Sequence, residues 1–491
     1  MIRIEQEQDI EVLRQVALKL QREVDHLIDR IKELSRELSR LRGAEAAKAQ
    51  TELDLLKELL AHRERALFGD SSEKRRIEPP EAESEAPAPR RGHGPRPQLE
   101  LPIIEKLHEL PETDRGCPVC GGTLSEMSGQ CEEAEEVTVV ERRFVVVKHR
   151  RMKYRCRCNA CVVTAPGPPK LQPGSRYSPE FAVEVAASKY LDHLPLERQA
   201  RIMKREGLLT DSQTLWDQLN VLTHHLKPTY DALGTRVLAS PLLHADETYW
   251  RLMNGDLPKR WWVWGLSTQD TAFYKILDSR SKKSAESILT GYHGTVMADG
   301  YGVYGALSRA SPGFKLVHCW AHVRRKFHDI EGHFPTESKV MLDLIRDLYA
   351  VEREAGDDLA LRGRLRQERS RMTIDSIHTW AGEQTPLPKS GLGRAISYML
   401  KLWPGLIVFL DDPVVPLDNN AIERGLRGIV VGRKNHYGSR SRRGIEVAAV
   451  LFSLFETAKL SGVEPKAYVL KATHAAIANP GTATLPHESL S

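Results

Sequence analysis

"LLHADETYWRLM", residues 242–253, decides the fold. An apolar lead-in runs straight into two acids, and β-branched and aromatic residues follow. After Pro241 the pattern therefore reads as strand. An unpaired carboxylate closing an apolar strand segment is costly, so Asp246 needs a reason to be there. Glu247, one residue on, points to the opposite face of a strand and is a decoy for the same role.

Working outward, "KRWWVWGLST" (259–268) and "TAFYKIL" (271–277) are further β-rich runs, separated by turn signals such as "NGDLPK". A helix follows at about 283–292. "GTVMADGYGVYGAL" (294–307) again places an apolar strand directly before an acid, Asp299, and Gly300. "FKLVHCWAHVRRKF" (314–327) reads as a strand entering a basic helix. The order is three strands, helix, strand, a short connecting element, strand. A last helix at 419–430 would complete a mixed sheet flanked by helices.

That helix opens in "PLDNNAIERGLRG", residues 416–428. Pro416 and Asp418 set up its start, with Asn419 and Asn420 in the first turn. Asn419, Glu423 and Arg427 are spaced four apart and share one face. A Glu423–Arg427 surface pair is one reading, worth about 0.2–0.5 kcal/mol. The sharper reading brings Glu423 toward Asp246 and Asp299 at one end of the sheet, with Asn419 as a supporting or substrate contact. Three such acids are hard oxygen ligands suited to Mg²⁺ or Mn²⁺. Two such ions can clamp the attacking and leaving oxygens of a phosphodiester displacement. Gly425 and Gly428 then mark places where metal, DNA or the sheet comes close, or merely loosen a helix end.

At 491 residues the chain suggests about three domains. Apolar content of 41% and charged content of 28% describe a soluble globular protein. No stretch approaches the roughly 20 apolar residues of a membrane span, and "MIRIEQEQDI" lacks the pattern of a signal peptide. A cytoplasmic protein is expected. Net charge is only +5, so any nucleic-acid surface comes from local patches.

Such a patch is "RGLRGIVVGRKNHYGSRSRRG", which begins beside Glu423 at Arg424. Arg427, Arg433, Lys434, Arg440, Arg442 and Arg443 are candidates for gripping DNA backbone, against the alternative of a solvated loop. In "HCWAH", His318 and His322 are four apart. Metal ligation, contact near the site and plain packing all remain open for them.

Seven Cys, six of them between Cys117 and Cys161, argue for metal rather than disulfides. "CPVCGG" gives Cys117 and Cys120 as half of a zinc-ribbon-like thiolate site. In "YRCRCNACVV" the second half is Cys158 and Cys161, with Cys156 a possible substitute. Four thiolates leave no open position, so this Zn²⁺ is structural. Cys131 lacks a partner at ligand spacing.

Toward the N-terminus, Ile10, Ala17, Val24, Ile31 and Leu38 alternate with Leu13, Leu20, Leu27, Leu34 and Leu41 as an a/d seam. Mostly β-branched a positions with Leu at d favour a parallel two-stranded coil. "LERQARIMKREGLLTDSQTLWDQL" (196–219) reads as helix, turn at Gly207, cap at Thr210 or Ser212, and helix.

In this combination the chain resembles the DDE transposases of the IS sixty-six (IS66) family of bacterial insertion sequences. "LHADET", "ADGYGVY", "HCWAHVRRKF", "PLDNNAIERGLRGIVVGRKN" and "SLFETAKLSGVEPKAYV" carry the likeness in order. "LFGDSSEK", "GHGPRP" and "CPVCGG" carry it in the N-terminal half. The resemblance implies a catalytic triad of Asp246, Asp299 and Glu423 on a ribonuclease-H-like α/β core. It implies cleavage of element ends and joining of the 3′-hydroxyl to target DNA, with small companion proteins of the same element as further partners.

The expected multidomain α+β organisation runs from a coiled-coil dimerisation region (1–70) and disordered linker (71–100) to a zinc-binding domain (101–168). A helix-turn-helix-like DNA-binding region (175–235) follows. The catalytic core comes in two parts (240–330 and 415–460) around a helical insertion (331–414), before a C-terminal tail (461–491). The competing readings are a nuclease that cuts but never joins, a DNA-binding zinc regulator whose acids are structural, and an inactive copy.

Overall fold

The computed structural model describes residues 143–155, 161–253, 259–310 and 313–486. It also describes 118–120 and short helical pieces at 22–23, 26–31, 33, 53, 56–57 and 60. Two units separate, Met1–Leu67 with Arg143–Ser491 and Phe68–Arg142. Of the smaller only Pro118–Cys120 is described, as an exposed turn. Most of the heptad seam and all of the 71–100 linker lie outside the described residues.

In the larger unit, β1 (Lys153–Arg155) and β2 (Val162–Thr164) form a small antiparallel hairpin. Three helices follow. In α1 (Pro179–Tyr190), Ser178 caps the first turn and proline occupies its start. α2 (Leu196–Arg205) ends in a turn at Gly207, whose φ of +88° suits only a residue without Cβ. α3 (Ser212–Ala239) is capped by Asp211, whose carboxylate accepts from Thr214 N, and not by the expected Thr210 or Ser212. Its Leu215, Leu219, Leu222, Leu226, Leu233 and Val237 are fully buried. At 28 residues with that stripe, α3 is a core helix.

The central sheet has five strands in the order β5-β4-β3-β6-β7. β3 (Leu242–Leu252), β4 (Lys259–Ser267) and β5 (Ala272–Leu277) form an antiparallel meander. α4 (Lys282–Leu289) crosses over so that β6 (Thr295–Ala298) joins the other edge of β3 in parallel. α5 (Gly302–Ser308) then leads to β7 (Lys315–His318), parallel to β6. The expected order of elements is the order found.

Alternation along the strands splits the interior. Leu243 and Ala245 face a core with Val296, Ala298, Trp264 and Tyr304. Trp250 and Leu252 face the opposite core with α3 and the C-terminal helices.

β7 runs into α6 (Trp320–His328), then α7 (Pro335–Ala355) and α8 (Leu359–Leu365). A π-helical turn (Arg366–Ser370), α9 (Arg371–Glu383), α10 (Gly391–Leu406) and a 3₁₀ turn (Val408–Leu410) follow. This helical block shares a core with Met297 and Val317 of the sheet. Arg366 is fully buried at its centre. Its Nε and Nη2 bind the Glu352 carboxylate at 2.8 and 2.7 Å. Its Nη1 donates to the carbonyls of Phe409, Asp412 and Val415 at 2.7, 3.0 and 3.0 Å. The chain returns through α11 (Asn420–His436) and α12 (Arg442–Leu460) to α13 (Pro465–Ala478). The expected C-terminal tail therefore holds a packed helix, with Tyr468, Val469 and Ala472 in the core.

Candidate active site

The pairing of His244 with Met297 in the parallel β3–β6 ladder fixes the level of the acids. Asp246 lies two residues beyond His244 on β3, and Asp299 two residues beyond Met297, just past the end of β6, so the register carries both acids to the same end of the sheet. Ala298 pairs with His318 across β6–β7, so Cys319 comes level with Asp299. Backbone amides orient both aspartates. Asp246 Oδ1 accepts from Glu247 N at 2.8 Å, and Asp299 Oδ1 from Tyr301 N at 2.9 Å. Burial pushes the Asp246 carboxyl well above its ordinary range, and the charges of Glu247, Asp299 and Glu423 push it the same way. Asp246 thus feels both other acids of the expected triad.

Glu423 arrives on α11, and a buried amide sets its place. Asn419 is fully buried just before the first helical residue. Its Nδ2 donates to Ala245 O at 3.0 Å and its Oδ1 faces His244 Nδ1 at 2.8 Å. Instead of capping its own helix, the side chain ties that helix to β3, a supporting role the sequence suggested without naming its partners. Asp418 caps instead, with Oδ1 accepting from Asn420 N at 3.1 Å. Tyr349 of α7 donates its hydroxyl to Asp418 Oδ2 at 3.0 Å.

Gly425 explains itself by close approach. A Cβ there would stand 2.5 Å from the Tyr274 hydroxyl and 3.2 Å from Glu456 Oε1. At Gly428 a Cβ would meet only His193 Cε1, at an ordinary 3.7 Å.

Around Glu423 lie groups from the start of α6. Glu423 Oε1 is buried without a hydrogen-bond partner, 3.7 Å from His322 Nε2. His322 Nδ1 is likewise without one. Cys319 is buried, and its Sγ accepts from Asn419 N at 3.2 Å. Burial pushes its thiol up to about 12. The ligand atoms of Cys319, His322 and Glu423 all lie within 4.8 Å of one another. His318 turns instead toward α10, where its ring abuts Gly405, and burial lowers its pKa.

Glu247 does face the other way. Its carboxylate is buried against Arg280, with Nε at 2.8 Å, and accepts from Tyr304 Oη at 2.8 Å. The Arg280 guanidinium stacks 3.8 Å from the Tyr301 ring centroid. Here a buried charge is paired and bonded, as burial requires.

The basic run divides. Arg427, Lys434, Arg440 and Arg442 are exposed. Arg433 is not. It is buried, stacks 3.6 Å over the Tyr249 ring and donates to Thr248 Oγ1 at 3.1 Å and to the Tyr249 carbonyl. Arg443 is bonded to Asn220 Oδ1 at 2.7 Å and to Glu446 at 2.9 Å. Both were expected as phosphate contacts, and both are held by the protein itself. On the helix pair, Arg198, Arg201, Lys204 and Arg205 are exposed on α2, whereas the exposed Lys227 of α3 is paired with Asp231.

Among the expected zinc ligands, Cys120 and Cys161 are exposed free thiols. Cys117, Cys156 and Cys158 lie outside the described residues.

Comparison with known proteins bears on this arrangement. The family model described as "Transposase IS66 family" matches residues 174–447. That for the "zinc-finger binding domain of transposase IS66" matches residues 114–159. The second match takes in Cys117, Cys120, Cys156 and Cys158 and ends before Cys161. The uncharacterized protein y4hP of Sinorhizobium fredii is 30% identical over 396 residues, covering 74% of this chain and 71% of its own. The uncharacterized y4jD of the same organism is 32% identical over 393 residues, with coverage of 75% and 76%. No helix among the described residues is long and apolar enough to cross a membrane.

Proposed function

Because the chain belongs to the IS66 family of transposases, we propose that it cuts the ends of an insertion element and joins the freed 3′-hydroxyl to target DNA. Asp246, Asp299 and Glu423 form the catalytic triad. The observation that carries this is the β3–β6 register, which brings Asp246 and Asp299 to the same end of the sheet, with Asp299 and Glu423 both close enough to raise the Asp246 carboxyl. We read the meander with two parallel strands added as a ribonuclease-H-like core.

The donor set fits Mg²⁺ or Mn²⁺, since carboxylate oxygens are hard ligands. Asp246 is burdened by like charges and Glu423 Oε1 has no partner, so a cation would relieve both. When bound, such ions activate water and clamp the attacking and leaving oxygens of a phosphodiester. The chain's own residues do the positioning. The amides of Glu247 and Tyr301 aim the aspartates. Asn419 fixes the helix that delivers Glu423. Arg427, Lys434 and Arg442 hold DNA backbone nearby, and the coiled coil pairs two chains on two element ends. A structural Zn²⁺ would be held by Cys117, Cys120, Cys158 and Cys161, with Cys156 a possible substitute.

A strand-transfer assay with labelled element ends in Mg²⁺ tests the proposal. Asp299→Asn should cut cleavage and joining by more than about 100-fold, since even outer partners of metal ligands are worth about 10–100-fold. Full activity in that variant would remove Asp299 from the triad. Binding without cleavage in any divalent metal would favour a DNA-binding regulator.

A further inference from the structure

Cys319 and His322 stand at Cys-x-x-His spacing across the first turn of α6, with Cys319 as its capping residue. Thiolate and imidazole are both zinc ligands. The third group, Glu423, comes from α11. Three features make this more than a packed cysteine beside a histidine.

The first is the pair distance. His322 Nε2 and Glu423 Oε1 lie 3.7 Å apart, too far for a hydrogen bond. In a tetrahedral site with metal–ligand bonds of about 2.0–2.2 Å, two N/O ligands stand about 3.4 Å apart. In an octahedral Mg²⁺ site, neighbouring ligands stand only about 3.0 Å apart.

The second is the environment of the sulfur. Cys319 Sγ accepts the Asn419 amide at 3.2 Å. That amide, from the start of α11, is a donor aimed at a sulfur that is otherwise buried. Outer-shell donors of this kind orient and tune metal ligands. The third is Glu423 Oε1, buried and without a hydrogen-bond partner in the same cluster.

We propose that Cys319, His322 and Glu423 form a second, softer cation site that takes Zn²⁺ or a similar thiophilic divalent ion. As the metal–sulfur bond forms, the thiol proton leaves to solvent. Occupancy draws Glu423 away from Asp246 and Asp299, so the ion inhibits Mg²⁺-driven strand cleavage. The inhibitory consequence rests on Glu423 being the third acid. The site itself does not.

Cobalt titration of the full-length chain tests the site without reference to activity. The wild-type protein should bind one equivalent of Co²⁺ more than Cys319→Ser, with added thiolate-to-cobalt charge-transfer absorbance. The zinc-ribbon cysteines contribute equally to both. His322→Asn, at a half-buried position, should weaken that equivalent at least tenfold, and it keeps the test open where Cys319→Ser fails to fold. Equal stoichiometry and equal spectra in wild type and folded variants would overturn the site.

Cleavage in Mg²⁺ is then measured with and without excess Zn²⁺, each protein against its own rate. The wild type should slow at least tenfold and His322→Asn much less. Equal zinc sensitivity would overturn the inhibition. If the cobalt difference is present but no protein cleaves in any metal, the strand-cutting reading fails and the site stands.

Discussion

Asn419 Nδ2 donates to the Ala245 carbonyl at 3.0 Å, so one buried amide fixes the helix of Glu423 against the strand of Asp246. Asn419→Ala should leave Ala245 O and His244 without their partner. Each unsatisfied buried group costs about 1–3 kcal/mol. Cleavage should fall more steeply than stability, with a raised Mg²⁺ requirement. Denaturant unfolding and single-turnover cleavage measure the two. A variant that loses stability but cleaves normally once folded would show that the amide only supports the fold.

Tyr349→Phe removes a single hydrogen bond, to Asp418, worth about 0.5–1.5 kcal/mol. Its expected signature is a slower cleavage rate at saturating DNA with unchanged DNA affinity, because α7 steadies the start of α11. Arg366→Met is the harsher variant. It leaves Glu352 with only the longer Arg362 contact at 3.4 Å and takes a donor from the carbonyls of Phe409, Asp412 and Val415; breaking a buried pair costs about 3–5 kcal/mol. Thermal unfolding should show the difference between the two directly.

The glycines of α11 should respond oppositely. Gly425→Ala crowds the Tyr274 hydroxyl, whose ring is only 1% exposed and has nowhere to move. Overpacking costs about 1–3 kcal/mol, more than the ~1 kcal/mol of helix propensity gained. Gly428→Ala keeps that gain and should be neutral or stabilising. Pairing Gly425→Ala with Tyr274→Phe should restore part of the loss. An equal effect of alanine at both glycines would mean that α11 does not press on the sheet as described.

Acid should weaken the fold through His436. Burial, then the charge of Lys189 and of His193, lowers its pKa to about 3. An unfolded histidine titrates near 6.5, so below that pH the unfolded chain binds the extra proton and stability falls until about pH 3. Between pH 7.5 and 5 the loss from this group is about 2 kcal/mol. Replacing it, as in His436→Leu, should flatten that part of the stability curve measured by denaturant titration. An unchanged slope would assign the acid sensitivity elsewhere.

Salt dependence should sort the basic residues. Lys434→Ala and Arg442→Ala should each reduce the slope of log affinity against log salt by about 1, the mark of a lost phosphate contact. Arg433→Ala should leave the slope alone and lower the melting temperature, because its guanidinium is committed to Tyr249 and Thr248. A slope change at Arg433 would reverse that division.

The sheet was legible because alternation and burial act locally. "LLHADETYWRLM" and "GTVMADGYGVYGAL" each show an apolar strand ending at an acid, and their pairing follows from the order of elements. Glu247 could be set aside by parity alone. What stayed hidden depends on meetings between distant residues. Nothing near Asn419 announces His244 or Ala245, and nothing near Arg366 announces the carbonyls at 409–415. Arg433 looked like its exposed neighbours because charge type is visible in sequence and burial is not. Asp211 outranked Thr210 and Ser212 as the cap of α3 through one residue of register, a margin that composition does not resolve. The tail was missed because α13 spreads small apolar residues around its surface and shows no clear stripe.

The strands carrying Asp246 and Asp299 precede the long helical block, and Glu423 follows it. During synthesis all five strands of the sheet therefore leave the ribosome before Glu423 does. Until α11 docks through Asn419, the two aspartates lack Glu423 beside them. Transposition is costly to a host when it is untimely. On the proposed reading, assembly order itself withholds chemistry until the chain is nearly finished.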